Sequence, residues 1–448
     1  KNILLYYYIF KVMKKNIYYR FTATILILLS ISSFFIGFIY GENSAGAGGL
    51  TLGDFPTFWK NLQIFLNNDI TTALNFTNDL DSGYKSSRTP LLYILHAYLN
   101  PFVENKVSFF RSVFIISLTG PILFYFCLKQ KFKEHDNLLL ILISSILFLS
   151  PYFRTSSYWG LEENFSIISL LFTFLFFDKF LSNNDEMKDK YLLFLTILFS
   201  SLCLYFDQKF IIIPVICFFT IIFSSKSFTL KIFSVFLYFI FSLPYIYLIL
   251  LWGNIIPSQD AGLRGIGDKI YLSHIGYAST IISFYLFPLL FFKKDSLFIL
   301  LGNFFKNKKN LYFLSLFFIY LLYLLIFYDY DNERSLGKGI VHKTAILFFQ
   351  ENYLQRIYIF FSFFISWLIL LIYLNNNLKD KLIIIYFFLL SIIGFPILQE
   401  YFDPLIILMA FTFFGSKLFI NYKNSIFLFI YLSILLISSN IYYYNLIN

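Results

Sequence analysis

Charge is what this chain lacks most. Only 13% of its 448 residues are Asp, Glu, Lys or Arg, about half of what a soluble protein normally carries (about 25%). A water-facing surface cannot be covered at that density. This excludes a soluble multidomain protein, although the length would allow one. Cysteine is equally scarce. Cys127, Cys203 and Cys217 all lie in apolar runs with no partner at metal spacing, so neither a zinc ribbon nor a disulfide framework is expected. No internal repeat is visible.

What is present is hydrophobic: 58% of residues, with 23% aromatic. They fall into runs long enough to span a bilayer, which takes about 20 apolar residues. About thirteen such runs can be marked, at 21–40, 107–127, 137–153, 164–182, 191–206, 209–225, 232–251, 274–292, 311–328, 353–374, 381–398, 404–421 and 425–444. The expected fold class is therefore an all-α polytopic membrane protein. Met13, followed by "KKNIYYR", reads as a natural start, with residues 1–12 an upstream extension and 1–20 a basic cytoplasmic N-terminus. The run from Phe21 to Tyr40 is followed by no clear small-residue cleavage site and reads as an uncleaved first helix.

With the N-terminus placed in the cytoplasm, the inner segments are short and polar: "CLKQKFKEHDN", "DKFLSNNDEMKDK", "SSKSFTLK", "FFKKDSLFILLGNFFKNKKN", "NNNLKDK" and "GSKLFINYKNS". With residues 1–20 they hold most of the 35 Lys and Arg and a minority of the 25 Asp and Glu. That is the positive-inside pattern. It accounts for the net charge of +10 as orientation, so no nucleic-acid partner is expected. The outer loops hold most of the carboxylates together with Trp59, Trp159 and Trp252. Polar residues crowded at one interface suit a site there; simple contact with water and an interfacial aromatic belt are the plainer alternative.

The first outer loop, 41–106, is far longer than a usual connection. In it, "GDFPTFWKNLQIFLNN" (53–68) sets Asp54 before a helix with Pro56 in its first turn. Asp54 suits a plain N-cap there and equally a catalytic base. Phe55, Trp59, Leu62, Phe65 and Leu66 share one face, as on an amphipathic helix that can lie on a membrane surface. "SRTPLLYILHAYL" (87–99) reads as a second short helix, with Lys85 and Arg88 just before it. Basic groups at a helix start suit a phosphate, or a lipid headgroup. Asp79 and Asp81 form a D-x-D pair that can bind a divalent cation, though such pairs are commonplace in turns. His96 and His135 read as structural or inner-side residues.

This order of features resembles the GT-C membrane glycosyltransferases, and within them the dolichyl-phosphate-glucose α-1,2-glucosyltransferases. "DFPTFWKNLQIF" is similar to that family's acidic "DEIFH" segment, with Asp54 at its first Asp and Phe55 where it has a second acidic residue. "YKSSRTPLLY" is similar to "ITTPPGLY". "DQKFIII" is similar to "RQTNI", keeping Gln208 but with Asp207 for the Arg. "WGNIIPSQDAGLRGIGDKIYLSHIGYAS" resembles the "NGGIVLGD…H" loop, with Asp268 and His274. "IVHKTAILFFQENYLQRIYIFF" resembles "HPFLLADNRHYTFYIW", matching His342, Asn352 and Tyr358, with Glu351 for Asp. "QEYFDP" is loosely like "EPRYY", near Glu400.

The resemblance implies a GT-C-like bundle forming one transmembrane domain over 21–445, with 41–106 as the first extracytoplasmic loop. It implies an inverting transfer of a sugar from a polyprenyl- or dolichyl-phosphate donor to a glycan or lipid-linked acceptor, without a covalent glycosyl intermediate. Asp54 is then the expected base. Arg88 and Arg356, with Lys85 and Arg264 behind them, are expected on the phosphate, because guanidinium suits bidentate phosphate contact. Glu162, Glu163, Gln208, Asp268, His274, His342, Glu351, Asn352 and Glu400 are expected on donor sugar or acceptor. The plainer alternatives are helix-dipole partners for the glutamates, snorkelling for Arg356 and incidental loop histidines. No cofactor or metal is expected beyond the lipid-phosphate sugar as co-substrate, and membrane lipids are the remaining partners. The membrane is a bacterial inner membrane or the endoplasmic reticulum. The competing classes are a lipid-linked glycan polymerase or ligase and a lipid-sugar flippase or transporter; the latter normally brings repeats and mid-membrane charges.

Overall fold

A computed structural model describes residues 2–46, 48, 53–183, 185–257, 270–328, 337–374, 377–394 and 396–447. Among these the chain is all-helical, 78% helix with no strands. Among the described residues, nine helices are long and apolar enough to cross a membrane: Ile17–Ile39, Lys106–Lys131, Glu163–Ser182, Met187–Phe206, Phe228–Trp252, Ser273–Phe292, Lys308–Phe327, Asn352–Leu374 and Tyr422–Tyr444. The protein is an integral, multi-pass membrane protein by this measure. Each of the nine falls on an expected apolar run.

The other four runs are built differently. Residues 137–153 enter a pair, Asn137–Leu149 and Pro151–Trp159, bent by 68°. The bend falls where Ser150 turns extended and caps the second helix by accepting from the Phe153 amide (3.0 Å), with Pro151 at its first turn. If that pair crosses as one, the count is ten. The run at 209–225 is a shorter helix, Gln208–Ile222. The run at 381–398 is helical only over Leu378–Ser391. The run at 404–421 yields Leu405–Phe411 and then irregular chain. Length and apolarity alone do not distinguish such bent or broken elements from simple spans.

Loops from alternate spans meet at opposite ends. At one end Arg20 pairs with Asp136 (3.4 Å), Tyr422 donates to Asp136, and Lys226 pairs with Asp189 (2.8 Å). Also at this end, the buried Asp380 accepts from the Gly415 amide (2.8 Å), the Ser416 amide (3.1 Å) and the Ser416 hydroxyl (2.5 Å). At the other end lie Glu42, Asp54 and the short helices of residues 53–100. Here a buried clasp joins three distant segments. Arg154, 3% exposed, gives its Nε to both Glu42 oxygens (2.9 and 3.1 Å). Its Nη2 donates to Glu42 as well and to the Ser33 carbonyl, and its Nη1 to the Ser33 hydroxyl and the Phe148 carbonyl. Asn440 donates to the same carboxylate (3.0 Å). A buried guanidinium is tolerated only when paired and fully bonded in this way.

The Phe55–Asn67 helix buries Phe55, Phe58, Asn61, Leu62 and Phe65. Each buried apolar side chain there contributes about 1.5–3 kcal/mol. Phe58 packs on Tyr93 (5.0 Å) and Phe55 on Phe110 (4.6 Å). The expected amphipathic face is real, but protein covers it and not a lipid surface. The faces of this helix and of Leu91–Leu99 meet each other and the Lys106–Ser117 helix below, as the His96–Phe109 contact (5.0 Å) confirms.

Candidate active site

The Asp54 end holds a buried network of opposite charges. It starts from three local devices. Gly160 ends the Pro151–Trp159 helix in the left-handed conformation (φ 68°), where a Cβ would also run into the Phe109 ring. The next residues then turn Glu162 and Glu163 inward at the start of the Glu163–Ser182 helix. Asp207 breaks the chain after Phe206 with an extended backbone and accepts from the Lys209 amide (3.2 Å). Arg88 lies in the "SSRTP" stretch, which is pinned from both sides. Gln208 donates to the Ser87 carbonyl (2.9 Å), and Thr89 donates to the Tyr205 carbonyl.

These devices bring Arg88, 18% exposed, against three carboxylates. Its Nη1 lies 3.2 Å from Glu162, its Nη2 pairs with Glu163, and its Nε lies 3.8 Å from Asp207. Lys209 joins from the other side, 3.0 Å from Asp207 and 3.6 Å from Glu163. Its ammonium also donates to the Glu400 carbonyl (3.4 Å) and stands 5.3 Å from the Tyr401 ring centre. Tyr93 donates to Glu162 (3.2 Å) and Ser156 to Glu163 (2.7 Å).

The electrostatics follow from burial. Desolvation opposes the Arg88 cation, but Glu162, Glu163 and Asp207 outweigh it and hold the guanidinium well above its usual range. Glu162 is pushed up to about 7 by burial and by the neighbouring Glu163, against the pull of Arg88. Glu400 is also pushed up to about 7, first by burial and then by repulsion from Glu163 and Asp54, with Lys209 and Arg88 pulling the other way. Asp54 therefore stands within electrostatic reach of Glu400. It is exposed at the head of the Phe55–Asn67 helix, and its side chain makes no capping bond to that helix. An exposed carboxylate thus lies within electrostatic reach of Glu400, which like Glu162 is pushed up to near neutrality, an arrangement suited to moving a proton.

Beside the network, Asp403 accepts from the Ser150 hydroxyl (2.7 Å) and the Tyr152 amide (3.4 Å), and burial pushes it up to about 6. Two cavities flank the Gln399–Phe402 turn. One, about 340 Å³, is lined by Gln399 and by residues of the Ser273–Leu286, Gly339–Phe348, Asn352–Leu374 and Tyr422–Ile447 helices. The other, about 240 Å³, is lined by Gln208, Lys209, Tyr401 and apolar side chains.

The expected residues divide accordingly. Asp54, Arg88, Glu162, Glu163, Gln208 and Glu400 converge. Lys85 is exposed, with its backbone held by Asn61 (3.1 and 2.7 Å). Arg356 donates to the Leu325 carbonyl (2.5 Å) and covers the Phe360 ring. Glu351 and Asn352 are exposed at the start of the Asn352–Leu374 helix. His274 is buried, with Nδ1 2.9 Å from the Ser391 carbonyl, and His342 is buried against the Tyr277 ring. Arg264 and Asp268 lie outside the described residues. His96 is buried among aromatic rings, and burial pulls it down to about 4. Asp79 accepts from the Asp81 amide in a tight turn (3.0 Å). Among the described residues no group of three His, Cys, Asp or Glu is placed to hold a metal ion.

Sequence reasoning passed over Asp207, Lys209, Tyr93, Asp403 and the Glu42–Arg154 pair. A signal existed for two of them: the polar "DQK" between two apolar runs needs partners if it sits at a membrane boundary. No family model matches the chain, and no curated protein or solved structure is significantly similar to it.

Proposed function

We propose that this chain is a membrane glycosyltransferase of GT-C type, acting at the non-cytosolic face on a polyprenyl- or dolichyl-phosphate-linked sugar. The observation that carries the reading is the network of Arg88, Lys209, Glu162, Glu163 and Asp207 beside Glu400, with the exposed Asp54 within electrostatic reach of Glu400. The nine long apolar helices supply the membrane setting that a lipid-linked donor requires.

In this reading Asp54 takes the proton of an acceptor hydroxyl. The acceptor oxygen attacks the anomeric carbon, the bond from that carbon to the phosphate oxygen breaks, and the lipid phosphate departs with that oxygen and its electron pair. Configuration inverts. Removing a general base costs typically about 10²–10⁴-fold. Glu400 and Glu162, both near neutrality, bind sugar hydroxyls and receive protons within the network. Arg88 and Lys209 fix these carboxylates in place; since all three Arg88 nitrogens already face carboxylates, its role is positioning. The cytosolic placement of the Arg20 end follows from its lysines and arginines.

The test is reconstitution of the purified chain with a polyprenyl-phosphate sugar and an acceptor. Asp54→Asn is expected to lose transfer by at least about 100-fold while keeping its thermal stability. Undiminished transfer in that variant removes Asp54 as the base; absence of transfer by the parent with every donor sugar removes the reading.

A further inference from the structure

The larger cavity beside the site is neutral, and its polar wall offers mostly lone pairs. Among the described residues no charged side chain lines it. Thr280, Ser283 and Ser362 each donate their hydroxyl back to a helix carbonyl three or four residues earlier (2.7, 3.0 and 2.8 Å). Tyr431 donates to the Phe284 carbonyl (3.0 Å). The Thr344 hydroxyl donates within its own helix (3.0 Å), so Tyr358 gives its proton to Thr344 (3.2 Å). A hydroxyl bonded in this way keeps lone pairs for a further partner.

Gln399 makes this preference specific. It is 8% exposed, lines the cavity and directly precedes Glu400. Its Nε2 donates to the Tyr285 hydroxyl (2.9 Å), and Tyr285 hydrogen-bonds Asp403, which also accepts from Ser150 and the Tyr152 amide. With the Tyr285 proton committed to the Asp403 carboxylate, the amide can only donate to Tyr285. That fixes which atom is left over: Oε1, an acceptor with no partner among the described residues. A buried acceptor left unmatched is costly. Ser366, 6% exposed on the same wall, likewise has no partner among the described residues and has a proton to give. It lies about 12 Å further along the Asn352–Leu374 helix than Tyr358, toward the middle of the span. Phe361 and Ile365 on that lining are 62% and 37% exposed, so the cavity opens sideways on the membrane-facing side.

We propose that this cavity is the acceptor subsite and that the acceptor is a diacylglycerol, a neutral lipid alcohol whose free hydroxyl donates to Gln399 Oε1 while an ester carbonyl accepts from Ser366. The assignment rests on the reading of the chain as a transferase, and it narrows the acceptor of that reading to one class. The side opening admits a molecule dissolved in the bilayer. A wall without a cation disfavours a phosphate head. A donor at the Gln399 turn and an acceptor deeper in the span is the order of a diacylglycerol's hydroxyl and esters; a polyprenol has no second oxygen to offer Ser366. Gln399, next to Glu400, is then the residue that selects an alcohol.

The test uses the full chain in phosphatidylcholine nanodiscs and a diacylglycerol bearing a diazirine on one acyl chain. Labelling is expected on the Ser273–Leu286 and Asn352–Leu374 helices. Unlabelled diacylglycerol should compete at least about tenfold better than its O-methyl ether, which has no proton to give, because a site built around a hydroxyl rejects the analogue lacking it. Phosphatidic acid and polyprenol should compete no better than the ether. The 1,2-di-O-alkyl glycerol, which keeps the hydroxyl but has no carbonyl, should compete less well than diacylglycerol. Gln399→Leu should abolish the preference for the alcohol over its methyl ether, and Ser366→Ala should abolish the preference for the diester over the dialkyl form. Equal competition by the methyl ether, stronger competition by phosphatidic acid or polyprenol, unchanged preferences in the two variants or labelling elsewhere would each overturn the assignment. Because the probe needs no sugar donor, failure of transfer chemistry leaves this result standing, and failure here leaves the Asp54 test standing.

Discussion

The two ends of the bundle use charge differently. At the Arg20 end, carboxylates are matched locally. Asp136 has Arg20 and Tyr422, Asp189 has Lys226, and Asp380 caps the Gly415–Ser416 backbone. At the Asp54 end, the cations that Glu162, Glu163, Asp207 and Glu400 share among the described residues are Arg88 and Lys209. The first pattern is how a membrane protein satisfies its ends. The second sets four carboxylates, three of them buried, against two cations, which costs stability and is retained at sites that move protons or bind polar ligands.

Perturbing the two ends should therefore give unlike results. The largest effect is on chemistry: Asp54→Asn should reduce sugar transfer by about 10²–10⁴-fold, read in the reconstituted assay, whereas no single carboxylate at the Arg20 end should change it. Next is stability. Arg88→Met strands buried carboxylates and should cost about 3–5 kcal/mol, read as a lowered unfolding temperature in detergent. Third is pH. Glu162 and Glu400 titrate near 7 in the folded protein, above the ordinary glutamate value. Between about pH 4.5 and 7 the folded state then binds more protons than the unfolded one, so stability falls as pH rises through that window. Glu400→Gln should flatten part of that slope and raise the unfolding temperature at pH 8 relative to the parent. The smallest effect is Asp136→Asn. Its carboxyl is held below the usual range, first by the Tyr422 hydroxyl. Its contribution is therefore present above the unfolded pKa and lost as pH falls through the folded value. At this exposed pair the loss should be within about 1 kcal/mol.

Much of this contrast is written in the sequence. Apolar runs place the nine long helices because a bilayer fixes their length, and the asymmetry of Lys and Arg separates the two sets of loops. The convergence of Asp54, Arg88, Glu162, Glu163 and Glu400 was legible as a set of outer-loop residues. What was not legible is who meets whom. Arg88 finds Glu162 across 74 positions and Ser150 finds Asp403 across 253; nothing local encodes either. Arg88 therefore looked like a phosphate ligand. The broken runs escaped for a related reason. Ser150–Pro151 and the stretch after Phe411 interrupt helices within apolar runs.

The Glu42–Arg154–Asn440 clasp has a consequence for biogenesis. Its carboxylate and its amide are separated by 398 positions, so during synthesis Glu42 and Arg154 reach the membrane long before the Tyr422–Ile447 helix emerges. This wall of the bundle stays open to lipid until that helix inserts. Groups that guard nascent membrane proteins would have the longest access to the seam beside the first helix, and a ribosome stalled short of Asn440 would display it.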